Sequence, residues 1–118
     1  MKVYPEFIID KPFCEKEYCC KNISLRYLLE VKMCNNQDDV LCIMMNPSIA
    51  DSHQSDDTIN SILRLLKDKY IFGKLKVVNL YPIFKSQSNE LSSIINELKI
   101  TLGEDKYNSI MKTNFYKI

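Results

Sequence analysis

Four side chains stand out for the chemistry that their types and places allow: Asn46, Ser48, Asp51 and Asn79. Asn46 closes the apolar run Leu41-Cys42-Ile43-Met44-Met45, and Pro47 follows at once. Asn79 closes a second strand-like run, Leu75-Lys76-Val77-Val78. Each carboxamide carries donors and an acceptor, so two together can read the edge of a base or another planar amide. Asparagine is equally at home capping a loop at a strand end, which is the simpler alternative. Asp51 falls too early to cap the next helix; with His53 beside it, it could serve as a base with an orienting partner or hold a metal. Asp56 and Asp57 suit a helix start, as cap and first-turn charge. Tyr81 and Phe84 could stack on a base or pack beneath a loop.

The elements that must position these residues follow from periodicity. The run 41–45 is too short for a helix and unbroken in apolar character, which suits a strand buried on both faces of a parallel sheet. Pro47 has no N–H for a ladder and biases Asn46 toward extended backbone. The strand therefore spans about 40–45 and delivers Asn46, Ser48 and Asp51 to its carboxyl end, where open α/β sheets bind ligands. Ile59, Ile62, Leu63 and Leu66 recur at helical spacing, predicting an amphipathic helix from Ser55 or Asp56 to about Lys69. Gly73 turns the chain back into a strand over 75–80 that Pro82 ends. A strand–helix–strand unit of this length is a crossover between parallel strands, so Asn79 joins Asn46 at one sheet edge.

Upstream, Leu25, Tyr27, Leu29 and Val31 alternate on one face of a strand, predicted antiparallel to its neighbour across the turn signal at 35–38. Residues 1–22 read as an N-terminal arm or edge strand, with the polar stretch 14–22 as loop. Downstream, Ser88 or Asn89 caps a helix carrying Leu91, Ile94, Ile95 and Leu98, which Gly103 closes. A last helix runs from Glu104 to about Thr113. No strand follows it, so the fold is expected to be short of a strand.

At 118 residues the chain is expected to form one α/β domain, 1–118. A hydrophobic share of 46% with 26% charged residues is that of an ordinary globular protein. The formal charge of +1 gives no global pull toward nucleic acid or membrane, so such affinity must be local. Locally, Arg64, Lys67, Lys69, Lys74, Lys76 and Lys85 form a basic segment broken only by Asp68, after an acidic stretch. It can steer a phosphate backbone, or form the solvated face of a helix and its turn. No signal-peptide pattern and no bilayer-length apolar run are visible, so a cytoplasmic location without membrane partners is expected. Five cysteines without paired CxxC spacing read as reduced thiols rather than a zinc site of Cys14, Cys19 and Cys20. There is no glycine-rich phosphate loop, GxSxG or HExxH, so neither cofactor nor metal is expected.

Several of these segments carry a resemblance. Arg26-Tyr27-Leu28-Leu29-Glu30, Met44-Met45-Asn46-Pro47-Ser48-Ile49-Ala50-Asp51, Asp56-Asp57-Thr58-Ile59 and Val77-Val78-Asn79-Leu80 resemble a bacterial and phage domain family of unknown function. Its hallmark is Met-x-Asn-Pro-Ser-x-Ala-Asp, and its occurrence suggests phages and mobile elements. More distantly, a strand ending in Asn-Pro and another in Val-Val-Asn are similar to the first two site motifs of the uracil-DNA glycosylase superfamily. That similarity implies a three-layer sandwich: a central, mainly parallel sheet with helices on both faces. It implies a water-activating role for Asn46 and base reading by Asn79. The superfamily's third motif, a His-Pro-Ser type loop, has no counterpart here, as though the chain were C-terminally truncated. Without that clamp a glycosidic transition state lacks its stabiliser. The expectation is a catalytically silent domain that recognises a nucleobase or nucleic acid through Asn46, Ser48, Asp51, Asn79 and Tyr81. The alternatives are an active N-glycosidic hydrolase and a degenerate module whose incomplete sheet a protein partner covers.

Overall fold

The computed structural model describes residues 2–84 and 88–118. Its strands are β1 (Phe13–Cys20), β2 (Ile23–Lys32), β3 (Val40–Met44), β4 (Lys74–Asn79) and β5 (Ile83–Phe84). Its helices are α1 (Asp57–Lys69), α2 (Leu91–Leu102) and α3 (Glu104–Lys117), with a 3-10 turn, Ser88–Glu90, before α2. The strands form one sheet in the order β1-β2-β4-β3, with β5 also on β2.

The sheet is mixed, which corrects the mainly parallel expectation. β3 and β4 run parallel, joined through α1, while β2 meets β1, β4 and β5 antiparallel. The strand over 40–44 is an edge, not a centre. Leu41, Ile43 and Met45 are 49%, 51% and 51% exposed, and only Val40, Cys42 and Met44 face the core. An unbroken apolar run had two readings, two buried faces or one buried and one bare, and composition does not separate them. β2 is also not the neighbour of β3: β4 lies between them, pairing Leu29 with Val77 and Leu75 with Val40.

Residues 14–20, expected as loop, belong to β1. Its Glu15, Lys16 and Glu17 hide the strand pattern because this is the opposite edge of the sheet, where charge protects unpaired backbone. The turn before β4 needs Gly73 for space, not for its dihedrals: a Cβ there would strike the backbone oxygen of Gln37. α2 begins at Leu91, with Glu90 rather than Ser88 or Asn89 in the cap position, and Glu90 makes no side-chain cap bond. Among the described residues no helix is long and apolar enough to cross a membrane.

Two apolar clusters hold the fold. Ile59 and Leu63 of α1 bury against Leu29, Val31, Leu75 and Val77, with Ala50 and Phe72. Leu91 and Leu98 of α2 and Tyr107 of α3 bury against Leu25, Tyr27 and Ile83. Each such aliphatic side chain contributes roughly 1.5–3 kcal/mol by leaving water. The alternation Leu25, Tyr27, Leu29, Val31 predicts one face, yet the four divide between the clusters. The cause is a bulge. Leu28 opposes Glu15 and Arg26 opposes Lys16, so Tyr27 is the extra residue. Skipping one residue reverses the pleat, sending Leu25 toward α2 and Arg26 to the side of Leu29 and α1.

Candidate functional site

The parallel register sets Met44 beside Asn79, so Asn46 and Asn79 both lie at the carboxyl end of β3 and β4. Two further backbone bonds carry the pairing past the strands, Leu80 N–H to Met44 O (2.9 Å) and Tyr81 N–H to Met45 O (2.9 Å). Both carboxamides are buried. Asn79 is 0% exposed, and neither its Nδ2 nor its Oδ1 has a hydrogen-bond partner. Its backbone oxygen is engaged: Asn114 of α3 donates from Nδ2 to Asn79 O at 2.8 Å and reaches Leu80 O at 3.3 Å. Alternation along β4 puts Asn79 in the row of Leu75 and Val77, on the α1 side.

The bulge brings Arg26 to that same side. Arg26 is 0% exposed; Nη1 donates to Ala50 O at 2.6 Å and, more weakly, to Ser48 O at 3.4 Å. Nε and Nη2 have no partner, and the guanidinium makes no ion pair among the described residues. Burial lowers its pKa, while the nearby Cys14, Asp56, Tyr4 and Asp51 pull it back up. Arginine keeps its proton under such pressure. A buried cation therefore sits at the sheet edge with one side of its fork unpaired.

Two aspartates fix the segment above it. Asp56 caps α1, accepting from Ile59 N at 2.8 Å through Oδ1, and accepts from Ala50 N at 2.9 Å through Oδ2. Asp51 accepts from His53 N (2.8 Å) and Gln54 N (3.0 Å) through Oδ1, and from Lys16 Nζ (3.1 Å) through Oδ2. Burial pushes the Asp51 carboxyl up, but these donors outweigh it and hold its pKa below the usual carboxylate value. The Tyr4 hydroxyl ties the Asp51 carbonyl at 2.6 Å, and Lys16 also lies 4.5 Å from the centre of the Phe84 ring.

Among the described residues, the buried side-chain atoms left without partners belong to Arg26, Ser48, Asn79 and Asn114. Buried polar groups are normally satisfied, and each orphan costs about 1–3 kcal/mol. Here they fall into two pairs: Arg26 bonds the backbone of Ser48, and Asn114 bonds that of Asn79.

The other sequence candidates scatter. His53 is exposed, and Tyr81 packs partly buried against the second apolar cluster. Arg64 is exposed on α1, and Lys67 lies 4.5 Å from the centre of the Phe7 ring. Lys76 pairs with Glu30 (3.7 Å) and Asp39 (3.6 Å). Lys74 begins β4, at the far end of the strand from Asn79, and lines an open cavity of about 210 Å³ with Lys11, Lys32 and Phe13. These cations do not converge on the carboxamides; Lys85 lies outside the described residues. Cys14 packs against the first apolar cluster and Cys19 and Cys20 against the second, so those three thiols do not share a site.

Arg26, Lys16, Tyr4 and Asn114 are the site residues that sequence reasoning missed. Arg26 did leave a signal, a charge inside the otherwise apolar Leu25-Arg26-Tyr27-Leu28-Leu29. Lys16 left none, because its alignment with Asp51 exists only through the hairpin register. No curated protein and no solved structure matches the chain. One family profile matches residues 26–115, beginning at Arg26 and ending near the close of α3. On that match the chain belongs to the family described as Protein of unknown function (DUF1643).

Proposed function

We propose that this domain recognises a nucleobase, free or within a nucleotide or nucleic acid, at the carboxyl end of the parallel β3–β4 pair. The observation that carries the reading is the Asn79 carboxamide, buried with donor and acceptor both unsatisfied. Such a group gains most from a ligand that offers an acceptor and a donor side by side, as the amide edge of a base does. Asn46, just past the adjacent strand β3, and Ser48 complete the rim, while Tyr81 lies toward the second apolar cluster. In this reading the sheet is the middle layer of a glycosylase-like three-layer sandwich, with α1 covering one face and α2 and α3 the other.

The domain binds rather than hydrolyses. The lone pairs of Asp51 are engaged by two N–H groups and Lys16, leaving it poorly placed to take a proton from water. Calorimetric titration at low salt with the free bases, nucleoside monophosphates and single-stranded oligonucleotides tests the proposal. Binding that Asn79→Ala weakens at least tenfold supports it; absence of binding by every probe overturns it. Release of free base from an oligonucleotide, lost in Asn46→Ala, would instead make the domain an N-glycosidic hydrolase. The exposed row Leu41, Ile43 and Met45 on the unpaired edge of β3 favours a second reading, an interaction module whose partner covers that edge. A strictly monomeric chain that co-purifies with nothing counts against that alternative.

A further inference from the structure

We propose that Arg26 and Ser48 form an oxyanion subsite: the Nε–H and Nη2–H edge of the guanidinium takes two oxygens of a phosphate or carboxylate group, and Ser48 Oγ–H donates to the same group. The proposal shares Ser48 with the base reading but rests on the guanidinium of Arg26, which that reading does not use, so the two can fail separately.

The first reason is uncompensated charge. A fully buried cation is costly unless an anion meets it, and no carboxylate contacts Arg26 among the described residues. The two nearest candidates are committed elsewhere. Asp56 spends its oxygens on Ala50 N and Ile59 N, and Asp51 on His53 N, Gln54 N and Lys16. Neither can turn to Arg26 without giving up bonds that hold the start of α1 and its preceding loop. Their fields support the charge of Arg26 from a distance while its second edge remains unpaired.

The second reason is preorganisation. Nη1 is held by the carbonyls of Ala50 and Ser48, so the guanidinium plane is set before any ligand arrives. The remaining edge offers two parallel N–H groups in the fork that matches a carboxylate or phosphate. Ser48 presents an unpartnered buried hydroxyl from the same residue whose carbonyl touches Nη1. Water could satisfy these donors, but a neutral molecule leaves the charge unmatched. Above the subsite, residues 46–54 form no helix or strand and are held by side-chain bonds from Tyr4, Lys16, Arg26 and Asp56, so access needs no regular element to break.

The chain has two arginines, Arg26 and Arg64, which makes the test direct. The guanidinium Nε–H signals are followed by ¹H–¹⁵N NMR, assigned with Arg64→Lys, while inorganic phosphate, acetate or chloride is added at matched ionic strength. The expected result is a saturable shift of the Arg26 signal with phosphate or acetate, absent with chloride, while exposed Arg64 follows ionic strength alone. A phosphate response assigns a phosphoryl ligand and an acetate-only response a carboxylate. Ser48→Ala should weaken the apparent affinity roughly fivefold to tenfold, about one hydrogen bond, with a melting temperature that does not fall, because Oγ bonds nothing in the fold and its loss removes a buried orphan. Asn79→Ala should leave the phosphate response intact even if it abolishes base binding. An Arg26 signal that answers phosphate and acetate no differently from chloride overturns the subsite.

Discussion

Replacing Asn79 by leucine should make the protein more stable while it destroys base recognition. The side chain is wholly buried, and both polar atoms lack partners, so the folded state carries their desolvation with no compensating bond. Removing a buried unsatisfied polar group returns about 1–3 kcal/mol. Leucine repeats the γ-branch of asparagine but is larger, and overpacking in a tight site costs about 1–3 kcal/mol when it occurs. Asn79→Val, smaller, separates the two effects. The better of the two variants should gain about 1–2 kcal/mol, or roughly 4–8 °C in melting temperature for a domain of this size. Urea denaturation followed by circular dichroism reads this directly: the midpoint should rise at constant slope, since the surface exposed on unfolding hardly changes. If both variants lose more than about 1 kcal/mol, the carboxamide is satisfied within the fold. Asn79 would then be a structural residue, and the base-recognition argument would lose its main support.

Three further outcomes follow from the same geometry. Asp56→Ala removes a helix cap and strands the Ala50 N–H, so it should cost about 2–4 kcal/mol by urea titration. Asp56→Asn keeps the cap and loses the Ala50 bond, so its cost should fall between that and wild type. The pKa of Asp51 is lower in the fold than in the unfolded chain, so its contribution to stability is complete above about pH 4 and drains away as the pH falls through the folded value. Asp51→Asn should therefore flatten the fall of the urea midpoint between about pH 5 and pH 2; an unchanged profile refutes the clamp. Ile43→Lys should leave stability within about 1 kcal/mol of wild type, because the side chain is half in water. A loss of several kcal/mol would mean that β3 is buried on both faces after all.

How far the sequence discloses the fold depends on whether the relevant physics is local. α1 was legible from Asp56 to Lys69 because its cap, first-turn acid and apolar stripe all lie within the helix. The ends of β3 and β4 were legible for the same reason: Pro47 and Pro82 act on their immediate neighbours. The placing of Asn46 and Asn79 at one sheet edge needed only the strand–helix–strand unit between them. What stayed hidden was pairing between distant segments. The charged edge strand β1 imitates a loop, the bare outer face of β3 imitates a buried one, and β4 inserts itself between strands that the chain presents in succession. The α3 helix continues to Lys117, beyond the Thr113 expected, where Asn114 is anchored by the backbone oxygens of Asn79 and Leu80 at the end of β4 rather than by any periodic apolar residue.

The bulge at Tyr27 joins the hidden part of the fold to the candidate site. Strict alternation along β2 would send Arg26 away from Leu29 and Val31, toward the α2 side. The guanidinium would then have no Ala50 and Ser48 carbonyls to hold it, and Lys16, opposite it in the hairpin, would not reach Asp51. One extra residue thus determines where two cations end up, at the cost of a disrupted stretch of ladder. A second cost, the unsatisfied polar atoms of Arg26, Ser48 and Asn79, falls toward the same end of the sheet, where Arg26 N–H bonds Pro82 O just past β4. Errors of packing have no reason to coincide with a break in strand register, whereas a site that must present a fixed, open hydrogen-bonding edge needs both. Hence the weight given to Arg26 and Asn79 together. The bulge explains how a charge inside an apolar strand comes to lie at the end of the sheet where binding is proposed, and the orphaned atoms are what support that proposal.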